Sequence, residues 1–305
     1  MPALTATIAL AAAAAASAVL VEAVRRWCIA RGLYDPVTPR SSHTRPTPRL
    51  GGVAIVFVSL AGLTYAGTYA GRRVAPLAMA FLLMALVGLR DDWKPVPAKL
   101  RLLLQIAAAA IVVVGCGSFR AVILPGTGEL PLGWFGPVLT GIWIVGMMNA
   151  FNFMDGIDGI AGGQALVAAI GWALIALRLG DTTLFLLAGW IGAAVLGFLV
   201  HNWWPARIFM GDSASAPLGL LFASLPLLTP SPDSLLVPAA LLVWPFLLDT
   251  FFTFVRRALR RENVMEAHRS HLYQRMVIAG YSHASVALLY IALASTGLFA
   301  ALWLL

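Results

Sequence analysis

Hydrophobic residues occupy ten stretches of the chain, at 3–24, 53–70, 74–90, 100–117, 136–154, 159–178, 183–200, 213–229, 235–255 and 284–304. Turn residues or charges separate each stretch from the next. The stretches approach the roughly 20 residues that a helix needs to cross a hydrocarbon core. The pattern predicts an all-α integral membrane protein: a single bundle of about ten transmembrane helices, with residues 1–305 forming one polytopic domain and no room for a separate soluble one.

Composition removes the soluble alternatives. Of 305 residues, 60% are hydrophobic and 11% are charged, against about 25% charged in an ordinary soluble domain. Mean hydropathy is +0.87. A net charge of +8 would suggest nucleic acid in a soluble chain, but here the basic residues cluster in a few inter-helix loops. No nucleic-acid partner is expected; membrane lipids and phosphates are.

Placing the N-terminus outside makes the loops after spans 1, 3, 5, 7 and 9 cytoplasmic, and 17 of the 21 lysines and arginines then lie inside. Arg72, Arg73, Arg120 and Arg178 are the exceptions. The positive-inside rule thus supports ten spans with both termini outside. Trp27, Trp93, Trp203 and Trp204 at cytoplasmic ends, with Trp134 and Trp303 at outer ends, fit interfacial belts. The first stretch has no Lys or Arg before it and three arginines after it, so it reads as a span rather than a signal peptide. Cys28 and Cys116 lie far apart and read as packing residues.

Carboxylates are expensive at membrane depth, so their positions are informative. Asp91, Asp92, Asp155, Asp158 and Asp212 all fall at cytoplasmic span ends, with Asn149, Asn152 and Asn202 beside them. Adjacent carboxylates repel, so the pair Asp91-Asp92 suits Mg²⁺ binding or general-base work, with Lys99 two helical turns on to hold a phosphate; the plain alternative is an Asp92–Lys94 ion pair. In NAFNFMDGIDGIAGG, residues 149–163, Asn149, Asn152 and Asp155 recur every third position and can share one helix flank. Gly156 and Gly159 then open the backbone and present Asp158 to an anion or a nucleobase. Asp212 precedes an apolar run. It suits either a helix N-cap or a hard-cation site bridging phosphate oxygens, and Phe209 offers a stacking face. His268 and His271 can meet on one helix face; without a third zinc-like ligand, phosphate contact is the better reading. His283 reads as structural and His43 as part of a solvated loop.

Five segments carry a resemblance in order and spacing: RPTPRLGG at 45–52, DDWKPVPAK at 91–99, NAFNFMDGIDGIAGG at 149–163, PARIFMGDSAS at 205–215 and HRSHLYQR at 268–275. Together they resemble the polyprenyl-phosphate N-acetylhexosamine-1-phosphate transferase superfamily, glycosyltransferase family 4, which includes phospho-N-acetylmuramoyl-pentapeptide transferase. The HRSHLYQR form is more similar to initiators of O-antigen (lipopolysaccharide) synthesis. The resemblance implies a bacterial inner (plasma) membrane protein of ten transmembrane helices, with both termini periplasmic and an active site in a cytoplasmic cleft. It also implies transfer of a sugar 1-phosphate from a UDP-N-acetyl sugar to undecaprenyl phosphate, releasing UMP and requiring Mg²⁺, with Mn²⁺ as a substitute.

It puts the metal on Asp212, and the acceptor phosphate near Asp91, Asp92 and Lys99. Uridine falls near Arg45, Asp158, Asn202 and Phe209, and the diphosphate near Asn149, Asn152, Asp155, His268 and His271. Asp91, Asp92, Asp155 and Asp212 are the expected catalytic set. Ala214 departs from the glycine usual there and puts the turn after Asp212 in question. Direct attack by the lipid phosphate and a covalent aspartyl intermediate both stay open, as does oligomeric state, with a homodimer compatible. The alternative class is a transporter or flippase of a lipid-linked or phosphorylated substrate; scarce polar groups at mid-span and the lack of an internal repeat weigh against it. An enzyme using CDP-alcohols would need an Asp-rich helix pattern that is absent.

Overall fold

The computed structural model describes residues 3–37, 42–43, 45–70, 73–124, 126, 128–263 and 268–305. Arg40 and Arg72, both used in the charge count, lie outside the described residues. Among those described the helices are α1 (Ala3–Arg31), α2 (Gly52–Ala70), α3 (Val74–Trp93), α4 (Ala98–Cys116), α5 (Gly136–Met154), α6 (Ile160–Leu179), α7 (Thr182–Asn202), α8 (Asp212–Ser224), α9 (Leu236–Leu242), α10 (Trp244–Leu259), α11 (Leu272–Ile278) and α12 (His283–Trp303). Every predicted apolar stretch falls on a helix. Seven of them, α1, α3 to α7 and α12, are long and apolar enough to cross a membrane, and α9 with α10 makes an eighth if the bent pair is one span. The other two stretches, on α2 and α8, form shorter apolar helices.

Two elements differ from their sequence reading for local reasons. α1 continues past its apolar part because Glu22 pairs with Arg25 and Arg26 one turn on, at 2.7 Å each, and Gly32 at φ +66° ends it. The stretch 235–255 is bent by 75° between α9 and α10. Pro245 stands in the first turn of α10, where its missing N–H costs nothing but where it cannot continue an earlier helix.

α8 is the buried centre of the bundle: every residue from Ser213 to Ser224 is buried, against α3 on one side and α5 on the other. Glycine permits these approaches. A Cβ on Gly219 would lie 2.3 Å from the Met147 carbonyl of α5, and one on Gly88 of α3 would lie 2.0 Å from the Asp212 carbonyl. Elsewhere α7 packs on α1, α2 and α6, with Ser17 Oγ donating to the Ala194 carbonyl at 2.6 Å. Two small antiparallel pairs, β1 (Tyr34–Asp35) with β2 (Thr47–Pro48) and β3 (Ala121–Leu124) with β4 (Gly128–Pro131), fold the two long loops.

Candidate active site

The motif segments, far apart in sequence, are joined backbone to backbone. Phe209 N–H donates to the Pro48 carbonyl at 2.8 Å, Gly51 N–H to the Phe209 carbonyl at 2.9 Å, and Gly52 N–H to the Met210 carbonyl at 2.9 Å. The two glycines are required by closeness: a Cβ on Gly52 would sit 2.5 Å from the Ala214 Cβ. Gly211, at φ +78° and with Asp92 oxygens where its Cβ would be, makes the turn into α8. Ala214 sits inside the first turn of α8, after that turn is complete. Its departure from glycine therefore leaves the turn intact.

The Asp92 carboxylate, 8% exposed, accepts the N–H groups of Asp212 at 2.9 Å and Ser213 at 3.1 Å. It caps α8 from another helix, so the Asp92–Lys94 ion pair is set aside and the N-cap reading of Asp212 is replaced. Because Asp92 takes these amides, the first turn of α8 offers only the Asp212 side chain to a ligand. That carboxylate accepts from Asn152 Nδ2 at 2.8 Å and lies 3.5 Å from Arg101 Nη1. Arg101 also holds Asp91 at 2.6 Å, and Asp91 accepts the Val96 N–H at 2.5 Å. Lys99 is exposed and outside the cavity. The residues from Lys94 to Pro97 break the helix between it and Asp92, and Arg101 stands where a lysine was expected.

Asp91, Asp92, Arg101 and Asp212 line a cavity of about 550 Å³. Of the residues singled out from sequence, Asp91, Asp92, Asp155, Asp158, Asn202, Phe209 and Asp212 border it. Asn202 accepts the Gly159 N–H at 3.1 Å and donates to the Ile208 carbonyl at 2.9 Å, pinning the two loops together. Asp158 accepts the Ala206 N–H at 2.9 Å and faces His283 Nδ1 at 3.2 Å. Burial, together with the neighbouring Asp212 and Asp92 charges, raises the Asp155 carboxyl well above the usual range. Arg45 is exposed and outside the cavity.

Arg49 and Arg101, which had no site role from sequence, also line the cavity, as do His43 and His283, read from sequence as a solvated-loop and a structural residue. His43 stacks obliquely on Phe209, ring centroids 4.9 Å apart. Ser42 Oγ, His43 Nε2 and Arg49 Nε are buried without a hydrogen-bond partner among the described residues. Such atoms cost about 1–3 kcal/mol each unless a ligand satisfies them.

A second cavity, an apolar groove of about 970 Å³, runs between α4, α5 and α10. It takes in Asn149, His268 and His271. Asn149 donates to Gln105 Oε1 at 2.8 Å while Asn152 donates to Asp212 at 2.8 Å, so the two side chains expected to share a flank turn to different partners. From Pro137 to Phe153 the groove follows α5 for about 24 Å at the 1.5 Å helical rise.

The donor set suits a hard cation. Mg²⁺ binds through one or two carboxylates and completes its shell with phosphate and water. The cavity offers oxygen ligands centred on Asp212, and no group of three His, Cys, Asp or Glu among the described residues could hold an ion alone. Six aspartates, Asp35 among them, line the cavity against two arginines, Arg49 and Arg101.

A family model described as glycosyl transferase family 4 matches residues 74–229, the part holding α3 to α8. A probable undecaprenyl-phosphate N-acetylglucosaminyl 1-phosphate transferase of Bacillus subtilis is 33% identical over 273 residues, covering 87% of this chain and 75% of that protein. A phospho-N-acetylmuramoyl-pentapeptide-transferase of Synechococcus is 38% identical over 226 residues, covering 68% and 64%. A decaprenyl-phosphate N-acetylglucosaminephosphotransferase of Mycolicibacterium smegmatis is 31% identical over 284 residues, covering 82% and 70%. With these relatives and seven helices long and apolar enough to span a bilayer, the chain is a multi-pass protein of the bacterial inner membrane and belongs to glycosyl transferase family 4, the polyprenyl-phosphate hexosamine-1-phosphate transferases.

Proposed function

We propose that this protein transfers a sugar 1-phosphate, from a UDP-linked N-acetylated hexosamine derivative, to undecaprenyl phosphate, releasing UMP and starting a cell-envelope polysaccharide. One observation carries the reading. The carboxylate cavity and the apolar groove lie to either side of the C-terminal end of α5, with Asn149 and Phe153 lining the groove, Asp155 and Gly156 lining the cavity, and Asn152 between them donating to Asp212. A long lipid tail held in the groove thereby brings its phosphate to a polar chamber that can take a nucleotide.

In that chamber the polar atoms of Ser42, His43 and Arg49 and the face of Phe209 suit the nucleotide end of the donor. An oxygen of the lipid phosphate attacks the phosphorus attached to the sugar. The bond to the UMP oxygen breaks, and UMP leaves with the electron pair. Arg101 holds Asp91 and Asp212 together while Asn152 fixes the direction of the Asp212 carboxylate. Asp212 would hold Mg²⁺, or Mn²⁺ in its place, which when bound supplies the positive charge that lets two anionic substrates meet. The relatives named for lipid phosphates and N-acetylated sugars support the substrate classes.

The cavity then faces the cytoplasm, ten segments traverse the bilayer, and both termini are periplasmic. A cysteine introduced beside Arg260 should resist an impermeant thiol reagent in intact cells, while one beside Gly126 should react. The catalytic test is a panel of UDP-N-acetyl sugars with undecaprenyl phosphate and purified protein. UMP should appear in step with a lipid-linked sugar, and Asp212→Asn or chelation of Mg²⁺ should abolish both. A folded protein that moves substrate without releasing UMP would make it a transporter.

A further inference from the structure

Asp249 lies on α10 and is 1% exposed. Its carboxylate accepts five hydrogen bonds: from His271 Nδ1 at 3.1 Å, Leu272 N–H at 2.8 Å, Tyr273 N–H at 3.1 Å, Tyr290 hydroxyl at 2.6 Å and Thr253 Oγ1 at 3.1 Å. A carboxylate so deeply buried is costly unless its acceptors are filled. Donors from α10, α11 and α12 fill them, and two are backbone amides that fix the start of α11 and so the base of the His271 side chain.

The same bonds decide where the imidazole protons sit. An ionised carboxylate only accepts, so the hydrogen that faces it is on His271 Nδ1, which in the neutral ring leaves a lone pair at Nε2. In His268 the opposite holds. Its Nδ1 accepts the Ser270 N–H at 3.3 Å, and a backbone amide can only donate, so the hydrogen is on Nε2. The two rings lie 4.9 Å apart and both border the apolar groove at its polar end. One acceptor nitrogen and one donor N–H are therefore set side by side.

We propose that Asp249 is a positioning residue, which orients His271 so that its Nε2 accepts a hydrogen bond from a protonated phosphoryl group at the groove mouth while His268 donates to an oxygen of the same group. This rests on the transferase reading. The phosphoryl group belongs to either the lipid acceptor or the nucleotide donor, and the chemistry is common to both.

The test combines a spectroscopic readout with kinetics. In ¹⁵N-histidine NMR of the purified protein, with His271 identified by its loss in His271→Asn, the wild type should show Nδ1 protonated. Asp249→Asn, whose amide can donate to Nδ1, should move the proton to Nε2. The same variant should lower kcat roughly tenfold or more, the scale on which misorientation of a reacting group acts. Tyr290→Phe removes another bond to Asp249 without touching the histidine and should stay within about twofold of wild type, since orientation is unaltered. A rise in KM for undecaprenyl phosphate alone assigns the group to the lipid, and a rise for the UDP-sugar alone assigns it to the donor. If the His271 signals are unchanged in Asp249→Asn, or if both variants lose kcat and thermal stability in parallel, Asp249 is only a structural tie and the proposal fails. A proton shift without any UMP release in wild type would instead sink the transferase reading and leave the positioning in place.

Discussion

Asp92 Oδ1 accepts the backbone N–H of Asp212 at 2.9 Å, so one aspartate of the cavity sets the place of another through the main chain. The second oxygen holds Ser213, and the two bonds tie the end of α3 to the start of α8. Stability and chemistry are coupled at this point, because whatever loosens the cap also moves the carboxylate that faces Arg101 and Asn152.

Replacing the cap separates the two roles. Asp92→Ala should cost about 1–2 kcal/mol of stability, as lost N-caps do, and should lower kcat sharply. Asp92→Asn keeps one acceptor oxygen and should recover much of the stability but little of the turnover. Thermal unfolding in detergent alongside UMP release measures both; equal loss of stability in the two variants would remove the capping argument.

Asp155 should make the protein less stable as pH rises. Its carboxyl is raised above the usual range in the folded state by burial and by Asp212 and Asp92. Between the ordinary carboxylate pKa and the raised one, the native state binds more protons than the unfolded state. The contribution is therefore fully present below the ordinary pKa and lost as pH climbs through the raised one. Asp155→Asn removes the dependence: it should melt higher than wild type at pH 8, converge with it near pH 4, and be inactive, the usual trade between stability and a strained site. A wild-type melting profile parallel to that of the variant across this range would contradict the shift.

The bundle was legible in the sequence because apolar backbone in a membrane must satisfy itself: all ten stretches fall on helices, and among the described residues seven of these helices are long and apolar enough to span. The bend at Val243 was not, since Pro245 can open a new helix as readily as it ends one. The carboxylates at the span ends were legible from their cost in lipid. By the same argument Asp249 was an available signal, a lone acid within the stretch 235–255. Arg49 and His283 could not be picked out, because their place depends on the first loop folding against the segment around Phe209 and on where α12 begins. Lys99 and Arg101 were equivalent until the break between α3 and α4 set which one reaches Asp91.

Close packing at Gly88 should be as sensitive as the carboxylates. A methyl group there would meet the Asp212 carbonyl oxygen at 2.0 Å and its carbon at 2.4 Å, both backbone atoms that cannot swing aside. Gly88→Ala should cost about 1–3 kcal/mol as overpacking does and reduce turnover about a hundredfold by displacing Asp212. Gly67→Ala on α2, where the nearest atoms are 3.9 Å away, is the matched control and should be near neutral. Comparable activity in the two alanine variants would mean that α3 and α8 do not cross this closely.

Nucleotide recognition should separate from chemistry at Phe209 and Asp158. Phe209 has His43 against it at 4.9 Å and also borders the cavity, which leaves it available to a base. Asp158 does two things, since its Oδ2 also holds the Ala206 N–H and thus the loop leading to Phe209. Truncating it would move the ring as well as remove the carboxylate. The informative pair is therefore Phe209→Leu, which keeps bulk and loses the aromatic face, and Asp158→Asn, which keeps an acceptor for Ala206. Stacking is worth roughly 1–3 kcal/mol per base, or about five- to a hundredfold in affinity. KM for the UDP-sugar should rise by that factor in Phe209→Leu with kcat little changed, and KM for undecaprenyl phosphate should stay constant in both variants. Unaltered UDP-sugar KM in both folded proteins would place the base elsewhere, whereas a matched fall in kcat would make Phe209 part of the frame that holds Asp212.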